Sequence, residues 1–378
     1  MRPSPLLITA SLLLAFPSAR ADVKTVTTRE DLRQALTRLA PGATLKIAPG
    51  EYGPGHAIPA AQGTAAKPIV IEAADPKNPP RFTGGAVALH LQGCAFITIR
   101  HLHIQGQTGN GINLDDGGAS SHHITLEHLF ISDIGPKGNT DGIKLSGLTD
   151  FAVRHCRITG WGGQAIDMVG CHRGLVESCH FEGKDGFAQA TGPQAKGGSE
   201  DIVIRACTLV RAGQRPVHLG GSTGRPYFRP ADAKYEARRI TVEGCLIIGG
   251  MAGAVFTGSE DCSVRFNTFL NPEVWALRIL QENQEPGMIP CRNNTFENNI
   301  ITVTQGALRT WLNNSSGTAP ETFKFANNWW FHHGQTQRPN LPSPELNGAY
   351  NLDPRLDANH KPQTPAAQSL GHTAFKPR

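Results

Sequence analysis

The chain has 378 residues, a formal net charge of +5, 42 glycines and only 18% charged residues, a balance that favours many turns over long helices. The basic residues are scattered and have no interleaved aromatic patch, which argues against a nucleic-acid partner. The mild positive excess is compatible with an acidic partner without requiring one.

The first segment, MRPSPLLITASLLLAFPSARAD, has a positive residue at Arg2, an apolar run from Leu6 to Phe16 and a small-x-small site at Ala19-Arg20-Ala21. It reads as a secretory signal peptide over residues 1–21. No later apolar run approaches the roughly 20 residues a membrane helix needs. The mature chain is therefore expected outside the cytoplasm, secreted or periplasmic, without a membrane span. Eight cysteines in an exported chain would ordinarily suggest disulfides.

Residues 22–60 read as an N-terminal cap with the opening strands. In TTREDLRQALTRLAPG, Thr28 can cap a helix with Leu32, Ala35, Leu36 and Leu39 on one face, ended by Pro41-Gly42. Such a helix would cover the edges of a terminal coil. The strands TLKI and KPIVIEA follow, coils fill 61–335, and the Pro- and Asn-rich 336–378 is expected to wrap the far end irregularly.

The coils announce themselves by repetition. IRHLHI, LEHLFI, VRHCRI, VESCHF, IRACTL, VEGCLI and VRFNTF share one pattern, with Leu102, Leu129, Cys156, Cys179, Cys207, Cys245 and Asn267 at its fourth position. Asn294 and Asn327 continue it less exactly, at spacings of 22 to 38 residues. This is the pattern of an all-β parallel β-helix with an N-terminal capping helix, a single solenoid domain. Stacked coils would bring the thiols into one inward ladder that passes into asparagines. Buried structural thiols are the first reading; a disulfide between adjacent coils stays open, and a metal is disfavoured because no histidine shares the column.

A second segment recurs once per coil: GINL, GIKL, AIDM, GFAQ, PVHL, AVFT, ALRI and ALRT. Its apolar residue should point inward and the next one outward. The outward column then reads Asn113, Lys144, Asp167, Ala188, His218, Phe256, Arg278 and Arg309, flanked by small residues, as a shallow trough. Lys196, in QATGPQAKGGSEDIVIR, should stand at its edge on a glycine-flanked turn, one coil before His218. An insertion after His218, GGSTGRPYFRPADAKYEA, places Arg225, Tyr227, Phe228 and Arg229 as a wall.

Cations along a groove suit an acidic polysaccharide, since guanidinium pairs with carboxylate or sulfate. Such a polymer can be cleaved by β-elimination, in which a base takes the proton α to the carboxylate while cations neutralise the developing charge. Lys196 is the candidate base, with His218 and Arg215 beside it. Lys144, Asp167, Asn113, Arg225, Tyr227, Arg278 and Arg309 are candidates for holding sugars.

At AKGGSEDIVIR, and at EDLRQALTRLAPGATLKIAPGEY near the N-terminus, the chain resembles polysaccharide lyase family 6, the chondroitinase B and alginate lyase group. The resemblance implies a right-handed parallel β-helix with Lys196 as base. It also implies an arginine on the next coil, where this chain has His218. That family's calcium site uses two glutamates just before the lysine; here Ala188 and Ala190 stand there, leaving only Gln189 and Thr191. No cofactor is assigned, and calcium is left open without its expected ligands.

Alternatives remain. Asn139-Thr140-Asp141-Gly142 resembles the NTD element of polygalacturonase-like hydrolases, with Asp167 one coil on, but Asp115-Asp116 precedes it and no Gly-His-Gly follows. A non-catalytic carbohydrate-binding solenoid and a C5-epimerase complete the field. His101, His103, His122, His123 and His128 are expected on different faces, in surface or corner roles. Trp329-Trp330 and His332-His333 should pack the C-terminal cap, Asn314-Ser315-Ser316 is a weak glycosylation match, and a monomer is expected.

Overall fold

The computed structural model describes residues 23–118, 120–304, 306 and 308–377. The signal-peptide segment lies outside the described residues. Three long parallel sheets run the length of a solenoid: sheet A from Val23–Val26 to Glu345–Leu346, sheet B from Arg81–Thr83 to Ala349–Tyr350, and sheet C from His56–Pro59 to Thr310–Asn314. Each coil takes one strand from each in the order A, B, C. Ala95–Arg100, His103–Gln105 and Ile112–Asp115 form one coil before Ser121–Glu127 begins the next.

Alternation along each strand explains the core. On sheet A, Ile71, Ile99, Leu126, Val153, Val176, Ile204, Val242, Val264, Phe296 and Phe325 stand in register and are all 2% exposed or less. Their outward neighbours alternate in charge: Glu72, Arg100, Glu127, Arg154, Glu177, Arg205, Glu243, Arg265, Glu297. Arg100 reaches Glu72 at 2.7 Å, Arg205 reaches Glu177 at 2.6 Å, and Arg265 reaches Glu243 at 2.8 Å.

The corner from sheet A to sheet B is a single left-handed residue, such as His101, His128, His155, Ser178 and Asn298, followed by the buried column foreseen in the sequence. Cys156, Cys179, Cys207 and Cys245 are buried in it, and all eight cysteines are free thiols. The asparagine continuation is corrected within the same coils, by five residues in one and by one residue in the next. Asn267 is followed by Asn299 and Asn328, not by Asn294 and Asn327. The side-chain amide of Asn267 donates to Asn299 at 3.1 Å, and that of Asn299 to Asn328 at 3.0 Å. Asn294 instead accepts from the Cys262 backbone at 2.8 Å, and Asn327 is the corner residue with φ 54°.

The helix forms over Arg29–Leu36, with the Thr28 hydroxyl accepting from the Asp31 amide and Leu32, Ala35 and Leu36 buried in the core. The C-terminal segment adds short strands to sheets A and B and then turns back. Ala367 and Leu370 pack on Ile300 and Trp329, and the Gly371 amide donates to Asn298. Against expectation, His101 and His128 share one corner, their rings 4.9 Å apart and continued by His155 at 5.0 Å. His122 and His123 pack against Phe96 instead.

Candidate functional site

Sheet C carries the outward column, and its register departs from the sequence reading at three rungs. In order the residues are His90, Asn113, Lys144, Asp167, Gln194, His218, Val255, Arg278 and Asn313. Gln194 replaces Ala188, because Pro193 fills the inward apolar position opposite Ile166. Val255 replaces Phe256, which is buried in the core; Ala254 supplies the inward residue, a one-residue slip that reverses the faces. Asn313 replaces Arg309, which lies before the strand Thr310–Asn314.

The flanking small residues have a steric cause. A Cβ on Gly111 would meet the Gly142 carbonyl oxygen at 2.5 Å. One on Gly142 would meet that of Ala165 at 2.6 Å, and one on Gly192 that of Pro216 at 2.3 Å. Coils approach closely here, and the trough floor stays narrow.

Lys196 ends the strand Thr191–Lys196 rather than hanging in a loop; of the glycines around it, Gly197 and Gly198 take positive φ. Its ammonium lies 3.0 Å from one oxygen of Asp167, whose other oxygen takes a short hydrogen bond from Lys144. Lys144 also lies 3.6 Å from Asp141. Asp141 and Asp167 are fully buried, whereas the side chains of Lys144 and Lys196 are 19% and 15% exposed. Asp167 is thus a buried counter-ion beneath two lysines, not a surface contact for sugar. Burial, then the neighbouring Asp167 charge, pushes the Asp141 carboxyl up to about 6. Burial pulls Lys144 down, but the two carboxylates outweigh it and its net shift is upward.

One coil on, His218 is in register with Gln194 yet only 3% exposed. Its Nε2 meets the Thr257 hydroxyl at 3.0 Å and the Arg215 guanidinium at 3.4 Å, while Nδ1 has no partner. Burial, followed by Arg215, Lys196 and Arg278, holds the ring far below the usual histidine range, so it is neutral. Arg215 pairs with Glu282 at 2.9 Å. Arg278 lies over the Trp275 ring at 4.1 Å and donates to Asn313. Burial and then Arg215 lower its pKa, with Glu282 opposing them.

The insertion is anchored by a residue the sequence reading missed. Glu236, fully buried, accepts from the Gly197 amide at 2.9 Å, the Thr223 amide at 2.8 Å and the Asn283 side chain at 2.8 Å. The loop start is thereby fixed to the residue after Lys196. Arg225 is spent on the Ala233 carbonyl of its own loop and on Glu285 of a later one, and Arg229 pairs with Asp116. Tyr227 is 66% exposed. Asn113 accepts from Asn110 at 3.3 Å. Of the sequence candidates, the structure gathers Lys144, Asp167, Lys196, Arg215, His218 and Arg278. It leaves Arg225 and Arg309 outside that group.

The stretch before Lys196 does not fit calcium. The Gln189 amide is turned onto its own loop, donating to Phe187 and accepting from the Lys184 amide, and the Thr191 hydroxyl bonds locally. A hard cation needs several free oxygens. Among the described residues no three His, Cys, Asp or Glu are arranged to hold a metal ion, and no helix is long and apolar enough to cross a membrane.

A family model described as the right handed beta helix region matches residues 87–269. No curated protein matches the sequence. Among solved structures, an alginate lyase from Paenibacillus sp. str. FPU-7 is 20% identical over 88% of this chain and 99% of its own, with a TM-score of 0.54. A mannuronic acid specific polysaccharide family 6 lyase from human gut microbiota is 15% identical over 87% and 82%, at 0.58. A GH136 lacto-N-biosidase from Eubacterium ramulus is 12% identical over 88% and 68%, at 0.59. At these identities the likeness establishes a right-handed parallel β-helix, a fold that carries both lyases and a glycosidase.

Proposed function

We propose that this protein cleaves an acidic, uronate-containing polysaccharide by β-elimination, with Lys196 as the base. The observation that carries the reading is the setting of Lys196. It shares the Asp167 carboxylate with Lys144, with His218 and Arg215 on the next coil and Arg278 two coils beyond His218. When Lys196 gives up its proton, Asp167 keeps Lys144 as its partner, so no buried carboxylate is stranded. The neutral amine can then take the proton α to the uronate carboxylate. Arg215 and Arg278 are the groups available to neutralise that carboxylate as enolate charge develops, the task a metal performs elsewhere. Electrons from the broken C–H bond form the new double bond, the 4-linked oxygen departs and takes up a proton. His218, neutral and sealed, orients Arg215 rather than titrating.

The test is a screen of alginate, pectate, dermatan sulfate and heparinoid polymers, with and without chelator. Ultraviolet absorbance from an unsaturated uronate, undiminished by chelator, is the expected result. Reducing ends without that absorbance would mean hydrolysis. Inversion at C5 without cleavage would mean epimerisation, and binding without product a carbohydrate-binding module. Lys196→Ala should abolish elimination while leaving the melting temperature near that of the parent. Turnover retained in that variant overturns the assignment.

A further inference from the structure

Beyond the Lys196 cluster, at the N-terminal end of the same face of sheet C, lies a cavity of about 450 Å³ lined by Arg29, Arg33, Pro54, His56, Val87 and His90 among others. His90 belongs to the outward column, in register with Asn113 and through it with Lys144. Four strand spacings of about 4.8 Å separate its coil from that of Lys196, about 19 Å along the axis. The cavity is the far end of one continuous strip.

Its lining has an uneven inventory of charge. Arg29 and Arg33 are exposed on successive turns of the capping helix. Arg29 spends one nitrogen on the Pro54 carbonyl at 2.7 Å, and among the described residues neither arginine has a carboxylate within ion-pairing distance. No carboxylate is among the lining residues, and His90 of that lining is itself paired with Asp115 at 2.6 Å. His56 is 1% exposed; its Nε2 donates to the Tyr52 carbonyl at 3.0 Å, which leaves Nδ1 as an acceptor that no group serves. Burial first, then Arg29 and Arg33, lower its pKa. Pro54, Ala57, Ala86 and Val87 supply an apolar floor.

Two guanidiniums without a carboxylate partner beside an apolar floor call for a ligand with an anionic group and a C–H face. A sugar acid has both. We propose that this cavity is a distal subsite that holds a uronate residue of the acidic chain bound at Lys196. The inference rests on the reading of the strip as a polysaccharide site, and it adds a second point of attachment. Chains long enough to reach the helix gain Arg33 and Arg29 as carboxylate partners; shorter ones do not.

The probes are a uronate trimer and a uronate octamer, titrated calorimetrically into the full chain carrying Lys196→Ala, so that nothing is consumed. The octamer should bind the Lys196→Ala protein at least about tenfold more tightly than the trimer, one charge-assisted contact being worth that factor. Arg33→Ala added to it should erase the advantage without changing trimer affinity, while Arg33→Lys restores part of it. Histidine NMR should show the His56 ring responding to octamer and not to trimer. Equal affinities for the two lengths, or an octamer advantage that survives Arg33→Ala, overturn the distal subsite and leave the Lys196 reading standing. Failure of both oligomers to bind overturns the polysaccharide reading itself, and the subsite with it.

Discussion

Asp141 offers a sharp test of the electrostatics beneath the site. In the folded chain its carboxyl titrates at about 6, raised from the ordinary 3.8 by burial and by Asp167. Between those values the folded state holds a proton that the unfolded state has released. Stability credited to this group is therefore fully present below pH 3.8 and is lost as pH rises through about 6. A shift of about two units corresponds to about 3 kcal/mol. Asp141→Asn keeps an oxygen for the Gln164 amide, which now donates to Asp141 at 2.8 Å, and removes the charge. Relative to the parent, the variant should gain about 3 kcal/mol between pH 4 and pH 8, with the gain confined to the window from pH 4 to about 6.5. Urea unfolding at half-unit steps of pH, followed by tryptophan fluorescence, measures it. Parallel stability curves, or a variant that loses ground as pH rises, would refute the claim that Asp141 is a strained buried charge.

Two further outcomes follow from packing. Gly142→Ala should cost about 1–3 kcal/mol, because the new methyl would sit 2.6 Å from the Ala165 carbonyl oxygen and 2.8 Å from Ile158; an unchanged urea midpoint contradicts the close approach. Burial raises Cys171 to about 12 and Cys291 to about 11, and all eight thiols are free and buried. A thiol reagent should therefore titrate none in the native protein and eight in guanidinium; rapid native labelling would show that the stack opens.

The fold was legible because a solenoid writes the same environment once per coil. A column such as Leu102, Leu129, Cys156 and Cys179 exposes the period even where residue types change. Register was harder to read wherever an unusual residue took a standard place. Pro193 occupies an inward strand position that prolines rarely fill, so GFAQ matches the repeat pattern better than the segment that forms the strand. At Ala254 a small inward residue let Val255 pass for the core position. Lys144, Asp167, His218 and Arg278 were visible as an outward series, but burial of Asp141 and Asp167 depends on the lysines covering them, which no one-dimensional pattern records. Glu236 was hidden for the same reason, its partners Gly197 and Asn283 lying far away in sequence. The alternation of Arg100, Glu127, Arg154, Glu177, Arg205 and Glu243 was legible in the repeat segments and passed as ordinary polar character.

That alternation gives the solenoid a parity. Excising a single coil between Glu72 and Glu297 would set arginine over arginine or glutamate over glutamate at the new seam, where like charges directly opposite repel. Excising two neighbouring coils would restore opposites. Shortening or lengthening this stack, by evolution or by engineering, is therefore easier in even steps than in odd ones.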